Sequence, residues 1–211
     1  IFNNQTFINL HKDLFERVFQ YFLIEEKTSI CKGVATFAID NEDHIKSPIN
    51  GSYGGFEFKK DIYFDIKEKF ICRVIKELKK NAPKSIEIIL PPDIYDIENN
   101  SEQISILHRN NFLIKNIEVN QYIKVQNYNL KKSVNKGNRQ KIKKCISIPL
   151  LFHELKFEEY KLAYQLILEN RKEKNFKLSM NWEQLSSMLS KFPKKFLVFG
   201  IFKDQEMIAS A

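Results

Sequence analysis

The chain has 211 residues, of which 43% are hydrophobic and 13% aromatic, and its formal net charge is +8. This composition supplies a packed core and excludes a disordered chain, and the length fits one and a half to two domains. No apolar run approaches the roughly 20 residues that cross a bilayer, and the chain opens on a polar stretch instead of a charged and then apolar leader. We therefore expect a soluble, cytoplasmic protein with no transmembrane segment.

The N-terminal part of the sequence predicts a short helix followed by an antiparallel hairpin. Both elements begin within "FINLHKDLFERVFQYFLIEE", in which Val18–Glu25 has the β-branched and aromatic residues of a strand. "EKTS" provides the turn. "ICKGVATFAI" then continues as the second strand, Ile30–Ile39.

The next stretch, "SPINGSYGGFEF", is rich in glycine. Three of the chain's six glycines lie in it: Gly51, Gly54 and Gly55. The backbone N–H groups of a glycine-rich loop before a helix favour phosphate, but Asp61 and Asp65 lie at or near the start of the following helix and already occupy its positive end. A tight turn with glycines at positive φ is the alternative interpretation. A third interpretation depends on a resemblance given below.

A helix, a strand and a second helix follow this loop. Apolar residues at helical spacing predict a helix over Ile62–Leu78, and "SIEIIL" predicts a buried strand that ends at two prolines. Asn100, with Gln103 three residues later, is predicted to cap the second helix, which ends at Asn110 and the asparagine after it. The partial alternation of Phe112–Gln126 then predicts a return to strand.

Most of the net charge lies in one segment, "KKSVNKGNRQKIKK", Lys131–Lys144. It holds seven basic residues and no acid, so the rest of the chain carries only +1 of the net +8. Such a block attracts phosphates, although its lack of aromatic residues argues against stacking on bases. The alternative is a solvated helix face. The candidate polyanion contacts are Lys136, Arg139 and Lys143.

The C-terminal residues predict two amphipathic helices and a hairpin. Apolar stripes run through Phe157–Leu168 and Trp182–Phe192, and Asn181 with Gln184 forms a capping-box pattern before the second stripe. "FLVFGIF" and "MIASA" flank the turn "KDQE". Because the chain has no initiator Met and ends in an apolar run that should pair in a sheet, we expect it to be a piece of a longer protein.

Cysteines and histidines form no metal or catalytic pattern. They are widely spaced, and no C-x-x-C pair, G-x-S-x-G motif or dinucleotide fingerprint occurs. We predict reduced, buried thiols and no metal site, and the sequence assigns no catalytic residue. The residues concerned are Cys31, Cys72, Cys145, His11, His44, His108 and His153.

The order of hairpin, loop, helix, strand, helix and hairpin, with "ILHRNNF" at a helix-to-strand junction, resembles the GNAT acyltransferase superfamily. "KGNRQKIKKC" and the two helices and hairpin after it resemble the basic helix and second unit of tandem, Fem-like aminoacyltransferases of peptidoglycan and polysaccharide pathways. The resemblance implies an α/β fold with a mixed sheet. It places a first GNAT-like unit at residues 1–128, a basic linker at 129–146 and the start of a second, truncated unit at 147–211.

By this resemblance, the protein is an N-acyltransferase that moves an acetyl or aminoacyl group to an amine or hydroxyl acceptor in cell-envelope or polysaccharide biosynthesis. The donor is acetyl-CoA or another acyl-CoA, or else an aminoacyl-tRNA. Because the family's cofactor loop would follow Ala211, residues 1–211 alone are expected to be inactive. The alternative function is a tRNA-binding module that uses the basic segment 131–144.

The resemblance also implies substrate contacts. In Fem-like proteins, a Ser-Pro and Gly-Gly segment lies where the first unit faces the second and lines a substrate cleft. The candidates on that cleft are Ser47, Tyr53, Gly54 and Gly55. Tyr95 follows a strand end, where open α/β sheets bind ligands, or it merely packs. Arg171, near a helix C-terminus, either faces substrate or only complements the helix dipole.

Overall fold

The computed structural model shows a mixed α/β protein with a mixed sheet. It describes residues 2–123, 133–193 and 195–211. The chain divides into two compact units, Ile1–Tyr122 and Ile123–Ala211. The predicted boundary at residue 128 and the linker at 129–146 stay predictions. In the described ranges, no helix is both long and apolar enough to cross a membrane.

Helices and a five-stranded sheet make up the first unit. The helices are α1 (Gln5–His11), α2 (Phe64–Lys79) and α3 (Ile97–Arg109). The strands are β1 (Arg17–Glu25), β2 (Ile30–Ile39), β3 (His44–Ser47), β4 (Phe56–Phe58) and β5 (Ser85–Ile88).

The sheet is antiparallel except where β3 meets β5. Strands β1, β2 and β3 follow one another as an antiparallel meander, whereas β3 and β5 are parallel from His44 opposite Ser85 to Ser47 opposite Ile88. Because β1 pairs with one edge of β2, both β3 and β4 pair with its other edge. The chain therefore leaves the sheet after β3 and returns to it at β4. Residues 48–55, between these two strands, are called the glycine loop below.

Successive side chains of β2 point to opposite faces of the sheet, and residues on both faces are buried. Ala35, Phe37 and Ile39 share one cluster with apolar residues of α2 and α3, whereas Thr36 and Ala38 are buried on the opposite face. The helix residues of that cluster are Ile71, Val74, Ile75 and Leu78 of α2 and Ile106 and Leu107 of α3. On α2, Ile71 lies three and four positions before Val74 and Ile75, and Leu78 lies three positions after Ile75, so the four residues share one side of the helix.

Most elements predicted for the first unit are confirmed. The hairpin is formed by β1 and β2, and the long amphipathic helix is α2. "SIEIIL" supplies β5, which ends at Ile88, but its residues are half-buried or exposed and not buried as predicted. Asn110 is the C-cap of α3, and Asn111 has a φ of +66°, so the two asparagines do end the helix.

The predicted helix cap at Asn100 is wrong. Helix α3 begins earlier, at Ile97, and the Asp96 carboxylate accepts a hydrogen bond from the N–H of Asn99. The Asn100 side chain instead donates to the backbone oxygen of Pro91 over 2.7 Å. An acidic cap four residues upstream thus replaces Asn100, which is left for a tertiary contact.

The strand predicted over Phe112–Gln126 is absent from residues 112–123, and its remainder lies outside the described residues. Leu113 is 88% exposed and Val119 89% exposed. One ion pair, from Lys115 Nζ to Glu87 Oε1 over 3.2 Å, joins this segment to β5. Alternating apolar residues favour a strand only where a neighbouring strand supplies hydrogen bonds and packing.

The second unit combines helices with a three-stranded antiparallel sheet in the order β6-β7-β8. The helices are α4 (Lys136–Ile146), α5 (Tyr160–Glu173) and α6 (Trp182–Lys191). The strands are β6 (Leu151–Glu154), β7 (Phe199–Lys203) and β8 (Glu206–Ser210). Ala163 of α5 and Met207 of β8 pack with Leu155 in its core.

Predictions for the second unit are confirmed for α5, α6 and the β7–β8 hairpin, whereas β6 was not predicted. Asn181 and Gln184 form the capping box, with each side chain accepting from the other residue's backbone N–H. The Trp182 ring then lies 5.6 Å from the ring of Tyr164 on α5. This contact joins the start of α6 to α5.

A buried histidine ties α1 to the glycine loop. His11 is 1% exposed, and Asn50 Nδ2 donates to its Nδ1 over 3.0 Å. The ring proton is therefore on Nε2, which is buried without a hydrogen-bond partner among the described residues. Burial lowers the pKa of His11 from its usual 6.5, because a charged ring would lose its hydration.

This histidine predicts a loss of stability in mild acid. The unfolded chain takes up a proton at His11 near pH 6.5, whereas the folded protein does so only at lower pH. Above pH 6.5, neutral His11 should make its full contribution to the free energy of unfolding. As the pH decreases through the folded pKa, the free energy of unfolding should fall, by up to about 1.4 kcal/mol per pH unit. Urea unfolding at several pH values measures the slope.

A matched pair of substitutions isolates the effect. His11→Leu should remove this contribution to the slope, whereas His108→Gln, at an exposed histidine of α3, should leave it in place. An unchanged slope in His11→Leu contradicts the assignment.

Candidate substrate site at the strand ends of the first unit

Strands β3 and β5 are parallel, so their carboxyl ends meet at one end of the sheet, and the glycine loop closes onto that end. The N–H of Ile89 donates to Ser47 O over 2.8 Å, and the N–H of Gly54 donates to Ile89 O over 2.7 Å. The N–H of Gly55 donates to Ser47 Oγ over 2.9 Å. The loop thus continues the hydrogen bonding of β3 and β5 past their last paired residues.

Two of the glycines are required by close approach. Gly55 has a φ of +86°, and a Cβ there would lie 2.9 Å from Gln103 Oε1. A Cβ on Gly54 would lie 2.7 Å from Pro48 N and would also clash with Ser47 Oγ. Since both glycine N–H groups donate within the protein, these two donors are not free to hold a phosphate.

Amide side chains of α3 fix the point where the glycine loop rejoins the sheet. Gln103 accepts from the N–H of Phe56 over 2.9 Å and donates to Phe56 O over 3.0 Å. Asn99 donates to the same oxygen over 3.2 Å. All three residues are buried, so the bonds act in a medium where an unpaired backbone group would be costly.

Tyr53 of the glycine loop and Tyr95 of the loop after β5 come together at this end of the sheet. Their ring centroids are 5.5 Å apart with an interplanar angle of 35°, and Phe2 packs edge-on against Tyr53 at 5.1 Å. Tyr95 is 66% exposed, whereas Tyr53 is half-buried. Burial raises the pKa of Tyr53, and the charges of Tyr95 and Glu57 raise it further, so its hydroxyl stays protonated at neutral pH.

We refer to five of the predicted residues as the strand-end cluster. They are Ser47, Tyr53, Gly54, Gly55 and Tyr95. Two separate sequence motifs supply them, and the fold brings them to one place. Within the cluster, Ser47 is 1% exposed and serves the loop through its hydroxyl, whereas Tyr95 presents the largest open surface. The rings of Tyr53 and Tyr95 offer apolar area and their hydroxyl groups can form hydrogen bonds, so the pair can bind a ligand that has both apolar and polar parts.

Arg171 belongs to the second unit, in the last turn of α5. Its guanidinium carbon lies 5.7 Å from the centroid of the Phe176 ring, and the side chain is exposed. The Phe176 N–H donates to Arg171 O over 2.8 Å, which closes the helix C-terminus. A role of Arg171 toward substrate stays a prediction.

The predicted polyanion contacts lie on one face of α4. Lys136, Arg139 and Lys143 line a shallow groove together with Gln140, and all four side chains are exposed. Asn135 caps this helix by accepting from the N–H of Asn138. Lys131 and Lys132 of the basic segment lie outside the described residues.

Two amide residues of α3 at this site were not predicted to lie there. Gln103 was predicted only as part of the cap at Asn100, and Asn99 was given no role, but both side chains contact Phe56 of β4. The available signal was the run "NNSEQ", in which Asn99 and Gln103 lie on the same side of the helix as the apolar Ile106. Amides on the buried side of a helix indicate partners among nearby backbone groups.

Comparison with known proteins gives no family. No protein-family model matches the chain, and no curated protein sequence is similar to it at a significant level.

The packing of the glycine loop predicts opposite effects of two alanine substitutions. Gly54→Ala should lower the free energy of unfolding by about 1–3 kcal/mol, because the added methyl group overlaps the backbone at Pro48. Gly137→Ala is the control. Residue 137 lies in the exposed helix α4, and the nearest atom to an added Cβ would be Asn135 Oδ1 at 3.7 Å. It should be neutral or stabilising by up to about 1 kcal/mol. Urea unfolding followed by circular dichroism compares them, and equal stabilities would refute the close packing.

Proposed function

We propose that the chain is part of a GNAT-like N-acyltransferase of the Fem-like type, and that the strand-end cluster binds the acceptor substrate. The observation that carries the proposal is the parallel pair β3 and β5, at whose carboxyl ends Tyr53 and Tyr95 lie 5.5 Å apart. Ligands of open α/β sheets bind at the carboxyl ends of parallel strands. The resemblance of the sequence to GNAT acyltransferases supplies the reaction class.

In the proposed reaction, an amine or hydroxyl of a cell-envelope or polysaccharide precursor attacks the carbonyl carbon of an acyl-CoA thioester. The new bond to nitrogen or oxygen forms, the carbon–sulfur bond breaks so that CoA leaves as its thiolate, and the acceptor's proton passes to a general base. The protein contributes mainly by holding donor and acceptor in line. A cytoplasmic location is part of the same proposal.

Within this reaction, the tyrosine pair positions the acceptor. The ring of Tyr95, two-thirds exposed, offers apolar area, and the protonated hydroxyl of Tyr53 offers a hydrogen-bond donor. Ser47 and the two glycines shape the loop that holds Tyr53 in place. None of the five residues is assigned to proton transfer.

A steady-state assay with the full-length protein tests this role. Labelled acetyl groups are transferred from acetyl-CoA to a panel of amino sugars and of peptides with free amines. Tyr53→Ala combined with Tyr95→Ala should raise the KM for the acceptor about tenfold with little change in kcat, because the pair contributes binding that is equal in ground and transition states.

Tyr63→Ala serves as the matched control, since Tyr63 is a 77% exposed tyrosine in the segment before α2. It should leave both constants unchanged. Equal KM values for the double variant and the wild type would remove the acceptor site from the strand-end cluster. Absence of transfer to every acceptor in the panel would count against the enzyme class itself.

A further inference from the structure

Helix α4 is exposed to solvent along its whole length. It contains eleven residues, and none of them is buried. Isolated helices of this length are marginal in water, and helices in proteins are stabilised mostly by packing one face against a partner. Among residues 2–123, 133–193 and 195–211, no side chain buries a face of this helix, so all of its side chains remain exposed there.

The basic side chains of α4 form no ion pair with an acidic residue in the described part of the chain. Five of its residues are Lys or Arg and none is Asp or Glu. None of the ion pairs found among the described residues involves these five side chains. Three of the five lie along one groove with Gln140, as described above. The charge that α4 presents is therefore available to an anionic surface.

Apolar side chains lie on the same helix and directly after it. Ile142 and Ile146 are four residues apart, so they occupy one side of α4, and Ile146 is 78% exposed. Phe152, in β6, is 63% exposed, and Leu151 beside it is 61% exposed on the opposite face of the strand. Phe152 stacks on Phe199 of β7 at 5.5 Å, so it is held in place while its other side remains open.

These two features together discriminate between anionic partners. A nucleic acid would use the lysines and arginine, but it gains nothing from the exposed isoleucines, and α4 itself has no aromatic residue, which leaves Phe152 as the one ring of this surface on which a base could stack. A bilayer with anionic lipids uses both, because basic side chains meet the headgroups while aliphatic and aromatic groups enter the boundary with the acyl chains. The helix would lie in the membrane surface and not cross it.

We propose that α4 and the exposed apolar residues after it bind the surface of a membrane that contains anionic lipids. This inference concerns the second unit and does not depend on the acyltransferase proposal. For an enzyme that acts on envelope precursors, such binding would bring it to a substrate held at a membrane.

Co-sedimentation of the full chain with vesicles tests the proposal. We expect binding to vesicles of phosphatidylcholine mixed with phosphatidylglycerol and none to pure phosphatidylcholine. Removal of three charges in Lys136→Gln/Arg139→Gln/Lys143→Gln should weaken the partition coefficient on the order of 100-fold, since each basic residue near such a surface contributes roughly fivefold. Ile142→Gln/Ile146→Gln leaves the net charge unchanged and places glutamine, a good helix former, at both positions. Because it removes the apolar side chains, it should weaken binding at least about tenfold.

The charge control is Lys172→Gln/Lys174→Gln/Lys177→Gln, which removes the same net charge from exposed lysines at and after the end of α5 and should bind like the wild type. Circular dichroism checks that each variant is folded. The proposal fails if the isoleucine variant binds vesicles as the wild type does, if pure phosphatidylcholine binds equally well, or if no vesicle binds. Binding of bulk tRNA that the isoleucine variant retains, without vesicle binding, would identify RNA as the partner instead.

Discussion

Backbone hydrogen bonding at the break between β3 and β4 governs the architecture of the first unit. When a chain leaves a sheet and returns to it, the peptide groups of the excursion lose their ladder partners, and buried ones must find others. Ser47 Oγ, the backbone of Ile89 and the amide of Gln103 provide those partners. Helix α3 is consequently tied to the sheet by polar contacts as well as by its apolar face.

The same constraint explains why chemistry can gather at this place. The end of the glycine loop is held by the internal hydrogen bonds of Gly54 and Gly55, which fix the backbone next to Tyr53. Tyr53 is carried on that loop and meets Tyr95 from the segment after β5. The two rings thus form a preorganised wall at the carboxyl ends of the parallel strands, which is the property that a binding site for a small ligand requires.

Local patterns were sufficient for elements whose partners are adjacent in the sequence. The β1–β2 hairpin, the helix α2 and the capping box of Asn181 with Gln184 each follow from short-range periodicity or turn residues, and each is present. The prediction at Asn100 was wrong because Asp96, four residues earlier, competes for the same helix end. The strand predicted after Phe112 was wrong over residues 112–123 because alternation cannot reveal whether a neighbouring strand pairs with it.

The sequence predicted which residues belong to the candidate site, but it did not predict that they lie close together. Tyr53 and Tyr95 were each chosen from their own motif, and only the parallel pairing of β3 with β5 brings the motifs together. The contacts of Asn99 and Gln103 with Phe56 were not predicted, because Phe56 is more than forty residues away in the chain. Contacts between residues so far apart in the chain depend on the topology of the fold, which a short sequence motif does not reveal.

The contact between Trp182 and Tyr164 has a practical consequence for studies of this chain in solution. Trp182 is the chain's single tryptophan, and it lies in the second unit against α5. Its intrinsic fluorescence is therefore a built-in reporter on that unit alone. Emission spectra and backbone ellipticity, recorded on the same sample, can reveal whether the halves of the molecule melt together or one after the other.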